Sequence, residues 1–148
     1  GGGGGGSVSI SAFMPMLSGT KKAGKILPGD SLVLLSVDKT GTKTGTVISN
    51  RTSTQRLVTL VSESGIRLTC SDNTPLTLSD GSSINSTAAK GNKLPVQDAN
   101  GFRWETIVDV VEAGLGAVAT IYCENQCYAA GDEEGKYIFT HNENNEKV

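Results

Sequence analysis

The chain has 148 residues, enough for one compact domain. Hydrophobic residues make up 36% and charged residues 19%, so the sequence is neither disorder-like nor membrane-spanning. No apolar run approaches the roughly 20 residues of a spanning helix, and the start does not read as a signal peptide. Thirteen basic and fifteen acidic residues give a net charge of −2, without the clustered basic face of a nucleic-acid binder. Three cysteines, Cys70, Cys123 and Cys127, are an odd number and too few for a disulfide scaffold, which points to a reduced chain made in the cytoplasm.

In chain order, six consecutive glycines, Gly1 to Gly6, cannot pack and form a flexible leader over residues 1–6. Ser7-Val8-Ser9-Ile10-Ser11-Ala12-Phe13-Met14-Pro15 alternates like a strand entering the domain. Residues 31–37, 45–49, 56–63 and 66–70 are rich in β-branched side chains and read as strands. The second half repeats the theme at 103–111, 118–122, 126–130 and 136–140. Pro28-Gly29-Asp30, Ser64-Gly65, Asp80-Gly81, Asn100-Gly101 and the glycines at 114 and 116 separate these runs. No segment holds a helical apolar period over three turns, so the fold is expected to be all-β. Trp104 is expected in the core. Residues 143–148 are polar and read as a second tail, leaving a body over residues 7–142.

A weak internal repeat accompanies this pattern. With an offset of 60 residues, Thr46-Val47-Ile48 lies on Thr106-Ile107-Val108, Val58 on Val118, and Ser71-Asp72 on Gly131-Asp132. Two similar β-subdomains, or a chance match among β-branched residues, would both give it.

The chemistry concentrates where the tails meet the body. The body ends in Thr140-His141-Asn142, and the chain's single histidine immediately precedes that asparagine. An asparagine side-chain amide can attack its own backbone carbonyl, closing a succinimide and cutting the following bond, provided the geometry is held. A neighbouring imidazole can polarise the carbonyl and protonate the leaving amine. Equally, the pair could be a loop end with no role. At the other end, the Ser7 hydroxyl can attack the carbonyl of Gly6 and convert that amide to an ester, or Gly6-Ser7 can belong to a linker.

Three blocks bring these ends together. The first runs from Ser7 through Phe13-Met14-Pro15 to Ile26-Leu27-Pro28-Gly29-Asp30. The second is Ser64-Gly65-Ile66-Arg67-Leu68-Thr69-Cys70-Ser71-Asp72-Asn73-Thr74-Pro75-Leu76, followed by Leu78-Ser79-Asp80-Gly81. The third runs from Ile121-Tyr122-Cys123 through Tyr128-Ala129-Ala130-Gly131-Asp132 to His141-Asn142. In this order and spacing the chain resembles the Hint family of Hedgehog and intein self-processing domains, most closely its bacterial or phage intein-like members.

That resemblance implies a compact all-β horseshoe of about a dozen short strands with pseudo-two-fold symmetric halves, and both chain ends leaving one cleft. It implies autocatalytic peptide-bond cleavage, or splicing, acting in cis on the chain's own flanks. Ser7, Ser71, Thr74, His141 and Asn142 would be catalytic, with Cys123 and Asp132 as accessory candidates. The scissile bonds would be Gly6–Ser7 and Asn142–Glu143. A single turnover by a monomer needs no cofactor. Cys123, Cys127 and His141 match no standard zinc spacing, so no metal is expected.

The sequence departs from the family pattern in three places. Serine stands where the family usually has cysteine, at Ser7. Thr74 occupies the second-block histidine position, and Ser71 the usual threonine position. Glu143 follows Asn142 where splicing requires Cys, Ser or Thr, so uncoupled cleavage is expected more than splicing. The competing reading is a catalytically inert β-rich structural or adhesion module of a phage or bacterial surface protein.

Overall fold

The computed structural model describes residues 6–123 and 127–141. Asn142, Glu143 and the rest of the expected tail lie outside the described residues, as do the first five glycines. Thirteen strands and two single-turn 3-10 segments make up the described chain. They are β1 (Ser7–Ser9), β2 (Phe13–Met16), β3 (Gly19–Lys22), β4 (Ser31–Leu35), β5 (Thr42–Thr46), β6 (Ser49–Ser62) and β7 (Arg67–Ser71). After these come β8 (Pro75–Thr77), β9 (Ser83–Asn85), β10 (Lys93–Asp98), β11 (Gly101–Tyr122), β12 (Cys127–Glu133) and β13 (Lys136–His141). Eleven strands form one coiled sheet in the order β1-β7-β6-β11-β10-β13-β12-β2-β4-β5, with β3 beside β2; β8 and β9 form a separate hairpin.

The expected first strand is split in two. Ser9 and Ser11 turn the chain, with the Ser11 amide donating to Ser9 Oγ (3.3 Å) and the Ala12 amide to the Ser9 carbonyl (3.0 Å). β1 therefore joins one half of the sheet and β2 the other.

Two strands are much longer than expected and form the spine. β6 has 14 residues and β11 has 22, and they pair antiparallel along most of their length. Glycines 114 and 116 do not end β11. The strand continues through them with a register shift between Glu112 and Leu115, and Gly114 takes φ +75°, a conformation glycine reaches without a Cβ penalty. Each strand has a solvent-exposed arm, at residues 51–54 in β6 and 111–115 in the middle of β11, followed by a stretch buried on both faces, at residues 57–60 in β6 and 118–121 in β11. Each buried end therefore lies against the other strand's exposed arm.

This crossing accounts for the 60-residue repeat. Applying the offset to the observed Val58↔Glu112 pair gives Thr52↔Val118, one residue from the observed Ser53↔Val118 pair. The bulge supplies that one residue. The same offset carries β7 onto residues 127–131 of β12, and β7 and β12 pack together. The halves are related by a local two-fold through the spine.

Between the halves lies one continuous core that includes Val8, Met14, Leu32, Leu60, Leu68, Leu94, Ile107, Ile121, Tyr128 and Ile138, each at most 1% exposed. A smaller cluster of Leu35, Cys127, Ala129, Tyr137 and Phe139 packs with Phe102, whose ring meets Phe139 edge-on at 5.8 Å. Trp104 lies half-buried at the rim, not in the core. Its indole N–H donates to the Lys39 carbonyl (3.0 Å) and so anchors the 36–41 turn. At Gly131 the β12 backbone passes so close to β13 that a Cβ would overlap the Lys136 carbonyl oxygen.

Candidate functional site

β1 is a three-residue strand held between β7 and β11, and this placement sets the surroundings of Ser7. Ser7 faces Thr120 of β11, and Val8 faces Ala119 on one side and Cys70 of β7 on the other. Next along the ladder, the Ile10 amide donates to the Ala117 carbonyl (3.1 Å). Antiparallel pairs alternate, so Ser7↔Thr120 is a non-hydrogen-bonded pair, in which side chains approach most closely. Their hydroxyls are 2.8 Å apart. By the same alternation, the amide and carbonyl of Ser7 point away from β11, toward the turn after β7.

That turn supplies Ser71 and Thr74. The Thr74 amide donates to the Ser71 carbonyl (3.2 Å), which folds the two hydroxyls onto each other at 2.7 Å. Thr74 Oγ1 accepts from the Ser7 amide (3.3 Å) and donates to the Ser7 carbonyl (3.0 Å). Ser71 Oγ also donates to Asn73 Oδ1 (2.7 Å). Beneath the turn, Ser86 Oγ donates to the Ser71 carbonyl, and its amide to the Thr74 carbonyl, both at 2.8 Å. Ser7, Ser71, Thr74 and Ser86 are all fully buried or nearly so. The nitrogen of the Gly6–Ser7 bond thus lies in a closed cluster of hydroxyls. Gly6, also buried, takes φ +89°, which an L side chain would make strained.

Cys70 adjoins the cluster but is not primed to react. Burial pushes its thiol up to about 12, against the smaller opposing effect of the Thr74 and Ser86 hydroxyls. It stays protonated at neutral pH and packs as a small apolar residue.

Of the accessory candidates, Asp132 does not reach Ser7. Its carboxylate accepts from the Thr69 amide and the Thr69 hydroxyl, both at 2.8 Å, which ties β12 to β7 two residues before Ser71. Cys123 is buried just past the end of β11.

His141 ends β13 directly opposite Cys127 of β12. Both line an open cleft of about 470 Å³, with Leu35, Val37, Lys39, Pro75, Thr77 and Ser83 among its walls. Cys127 Sγ lies 3.2 Å from the Thr77 hydroxyl, and burial raises its pKa. β13 packs against both β7 and β8, the strands on either side of the Ser71–Thr74 turn. The cleft that holds His141 is therefore walled by Pro75, the residue after Thr74. Asn142 lies outside the described residues.

Two residues at the site were not anticipated from the sequence. Thr120 reaches Ser7 Oγ through a cross-strand register, and Gln55 Nε2 approaches it from β6 at 3.5 Å. A β-branched residue in a strand gives no sequence signal of this kind.

No protein-family model matches the sequence, and no curated protein does. The fold, however, matches solved structures along nearly the whole chain. The gp41-1 intein superimposes with a TM-score of 0.73 at 21% identity, over 95% of this chain and 100% of its own. A DnaB intein from Synechocystis gives 0.79 at 13% identity, over 92% and 97%. A bacterial intein-like domain from Clostridium thermocellum gives 0.74 at 15% identity, over 93% and 99%. The chain has the Hint/intein fold.

Proposed function

We propose that this domain cleaves its own flanking peptide bonds, at Gly6–Ser7 by an N-to-O acyl shift and at Asn142–Glu143 by asparagine cyclisation. The observation that carries this reading is the Gly6–Ser7 amide enclosed by the Ser7, Thr74 and Ser71 hydroxyls at the start of an intein fold.

In the first reaction, Ser7 Oγ adds to the Gly6 carbonyl carbon. The scissile nitrogen takes up a proton, the C–N bond breaks, and an ester joins Gly6 to Ser7 with the Ser7 amine free. Thr74 lies against that nitrogen and can hand its proton over, while Ser71, turning its hydroxyl from Asn73 Oδ1 to Thr74 Oγ1, relays one from water. Neither hydroxyl is an acid of useful strength at neutral pH, so this step is slow. Hydrolysis of the ester then releases the glycine leader. In the second reaction, the Asn142 side-chain nitrogen attacks its own backbone carbonyl and the bond to Glu143 breaks. His141 protonates the departing nitrogen, leaving a succinimide. Glu143 offers no nucleophile to receive the leader, so the two cuts are uncoupled and splicing does not follow.

Support for bringing the two reactions into one region comes from β13. It carries His141 past the same β7–β8 turn that holds Ser71 and Thr74.

Intact-mass spectrometry tests the reading. On incubation with hydroxylamine near neutral pH, the chain loses residues 1–6, and faster when Ser7→Cys supplies a better nucleophile. Residues 143–148 are lost independently, and Asn142→Ala abolishes that cut alone. An unchanged mass in both the parent chain and the Ser7→Cys variant would overturn the proposal and favour an inert structural module.

A further inference from the structure

Autoprocessing through Ser7 requires something to take the hydroxyl proton as the oxygen attacks, because a serine hydroxyl is not ionised at neutral pH. Among the described residues, the hydrogen-bond partners of Ser7 Oγ are the Thr120 hydroxyl at 2.8 Å and the Gln55 amide nitrogen at 3.5 Å. Gln55 Nε2 can only donate. It occupies one lone pair of Ser7 Oγ, and Thr120 Oγ1, at 2.8 Å, is the one of the two partners that can accept the Ser7 proton.

We infer that Thr120 is a further catalytic residue of the N-terminal cleavage, receiving the Ser7 proton while Gln55 orients the attacking oxygen. The inference rests on the autoprocessing reading and assigns a role in it to residues that the sequence did not single out.

The geometry divides the work between two sides of β1. Ser7↔Thr120 is a close cross-strand pair, and both side chains project from the same face of the ladder. The amide of Ser7 points the opposite way, to Thr74. One hydroxyl thus serves the nucleophile and the other serves the leaving nitrogen, with β1 between them. Thr120 retains 8% exposure whereas Ser7 and Thr74 retain none. The proton on Ser7 Oγ passes to Thr120 Oγ1 as Thr120 releases its own to solvent. Meanwhile the scissile nitrogen gains a proton from Thr74, replaced through Ser71. Ser71 regains its proton from water, so one proton leaves to water on the β11 side, one is taken from water on the β7 side, and the N-to-O shift consumes none.

A hydroxyl acceptor matters most for an alcohol nucleophile and less for a thiol, which gives up its proton far more readily than an alcohol in the same surroundings. This difference provides the test. Release of residues 1–6 with hydroxylamine is followed by mass spectrometry in the Ser7 chain and in the Ser7→Cys chain, each with Thr120, Thr120→Val or Thr120→Ser. Valine keeps the shape and removes the oxygen, and serine keeps the oxygen. The expected result is a loss of about tenfold to a hundredfold for Thr120→Val in the Ser7 chain, at or below the lower end of general acid–base assistance because a neutral hydroxyl only relays the proton. Thr120→Ser recovers most of that rate, and the effect of valine is several times smaller in the Ser7→Cys chain.

Equal slowing by valine in both chains would mean that Thr120 acts through packing, and would overturn the proposal. So would an undiminished rate in Ser7 with Thr120→Val, or release from Ser7→Cys with none from Ser7. Absence of release from both parent chains would instead remove the autoprocessing reading itself.

Discussion

Replacing Thr74 by valine separates hydrogen bonding from packing at the candidate site. Valine has nearly the shape of threonine, a methyl standing where the hydroxyl was, and residue 74 is fully buried. What disappears is the oxygen that accepts from the Ser7 amide, donates to the Ser7 carbonyl and contacts Ser71 Oγ. Ser71 keeps Asn73 as a partner, so the loss falls mainly on the two backbone groups of Ser7. A buried group stripped of its partner costs about 1–3 kcal/mol. The added methyl returns about 0.8 kcal/mol. With the long 3.3 Å amide bond contributing least, the net destabilisation is about 1–3 kcal/mol. For a domain of this size that lowers the melting midpoint by about 3–10 °C. Thr74→Ser is the control, since it keeps the oxygen and loses a methyl, at about 1 kcal/mol. Urea unfolding of the two variants in the Asn142→Ala background, which removes C-terminal cleavage during the measurement, gives the comparison. Valine should be the more destabilising of the two. If serine is worse and valine lies within about 0.3 kcal/mol of the parent, the hydroxyl is not bonded as described and the site geometry fails.

Two further predictions concern the scaffold. Gly131→Ala places a Cβ on the Lys136 carbonyl oxygen, where only backbone displacement relieves the overlap, and should cost at least about 3 kcal/mol. Gly135→Ala meets open space and pays only for its φ of +92°, about 1 kcal/mol, so equal losses in urea unfolding would contradict the β12–β13 geometry. Glu105 is buried on β11. Burial opposes its ionisation, but hydrogen bonds from Ser62, Ser64 and Arg103 outweigh that effect and hold its pKa below the ordinary 4.5. Its stabilising contribution is therefore complete above that value and lost as pH falls through the folded value. Glu105→Gln should be less stable than the parent at pH 7, with the gap narrowing in acid. A gap that stays constant from pH 7 to about pH 3 would show that the carboxylate charge contributes nothing.

Much of this architecture was legible in the residues, and the exceptions have physical causes. Strands whose buried residues cluster, such as β4, β7 and β13, were found within a few positions. β10 was missed because Pro95 interrupts its pattern. The proline is tolerated because it faces Trp104 on one side while pairing with β13 begins only at Val96. The arms of β6 and β11 were missed because residues 51–54 and 112–115 are exposed on both faces, so no apolar alternation marks them. They are strands because they pair with each other. At the site, Ser7, Ser71 and Thr74 were legible through motif order and do meet in space. Asp132 was singled out as a possible orienting group, and its carboxylate instead fastens β12 to Thr69. Thr120 was invisible because its proximity to Ser7 depends on a register between residues 113 positions apart.

If the proposed acyl shift takes place, the burial of Ser7 also governs the direction in which it runs. The proposed shift would free an α-amine at a residue with no solvent exposure, inside a strand clasped on both edges. A charged ammonium there would forfeit its hydration, so the amine stays neutral and nucleophilic. It remains next to the ester it has just left, and its return re-forms the amide. The enclosure that prepares the bond for attack therefore also repairs it. The ester would then be a minor, reversible population until a nucleophile such as hydroxylamine or water drew it off.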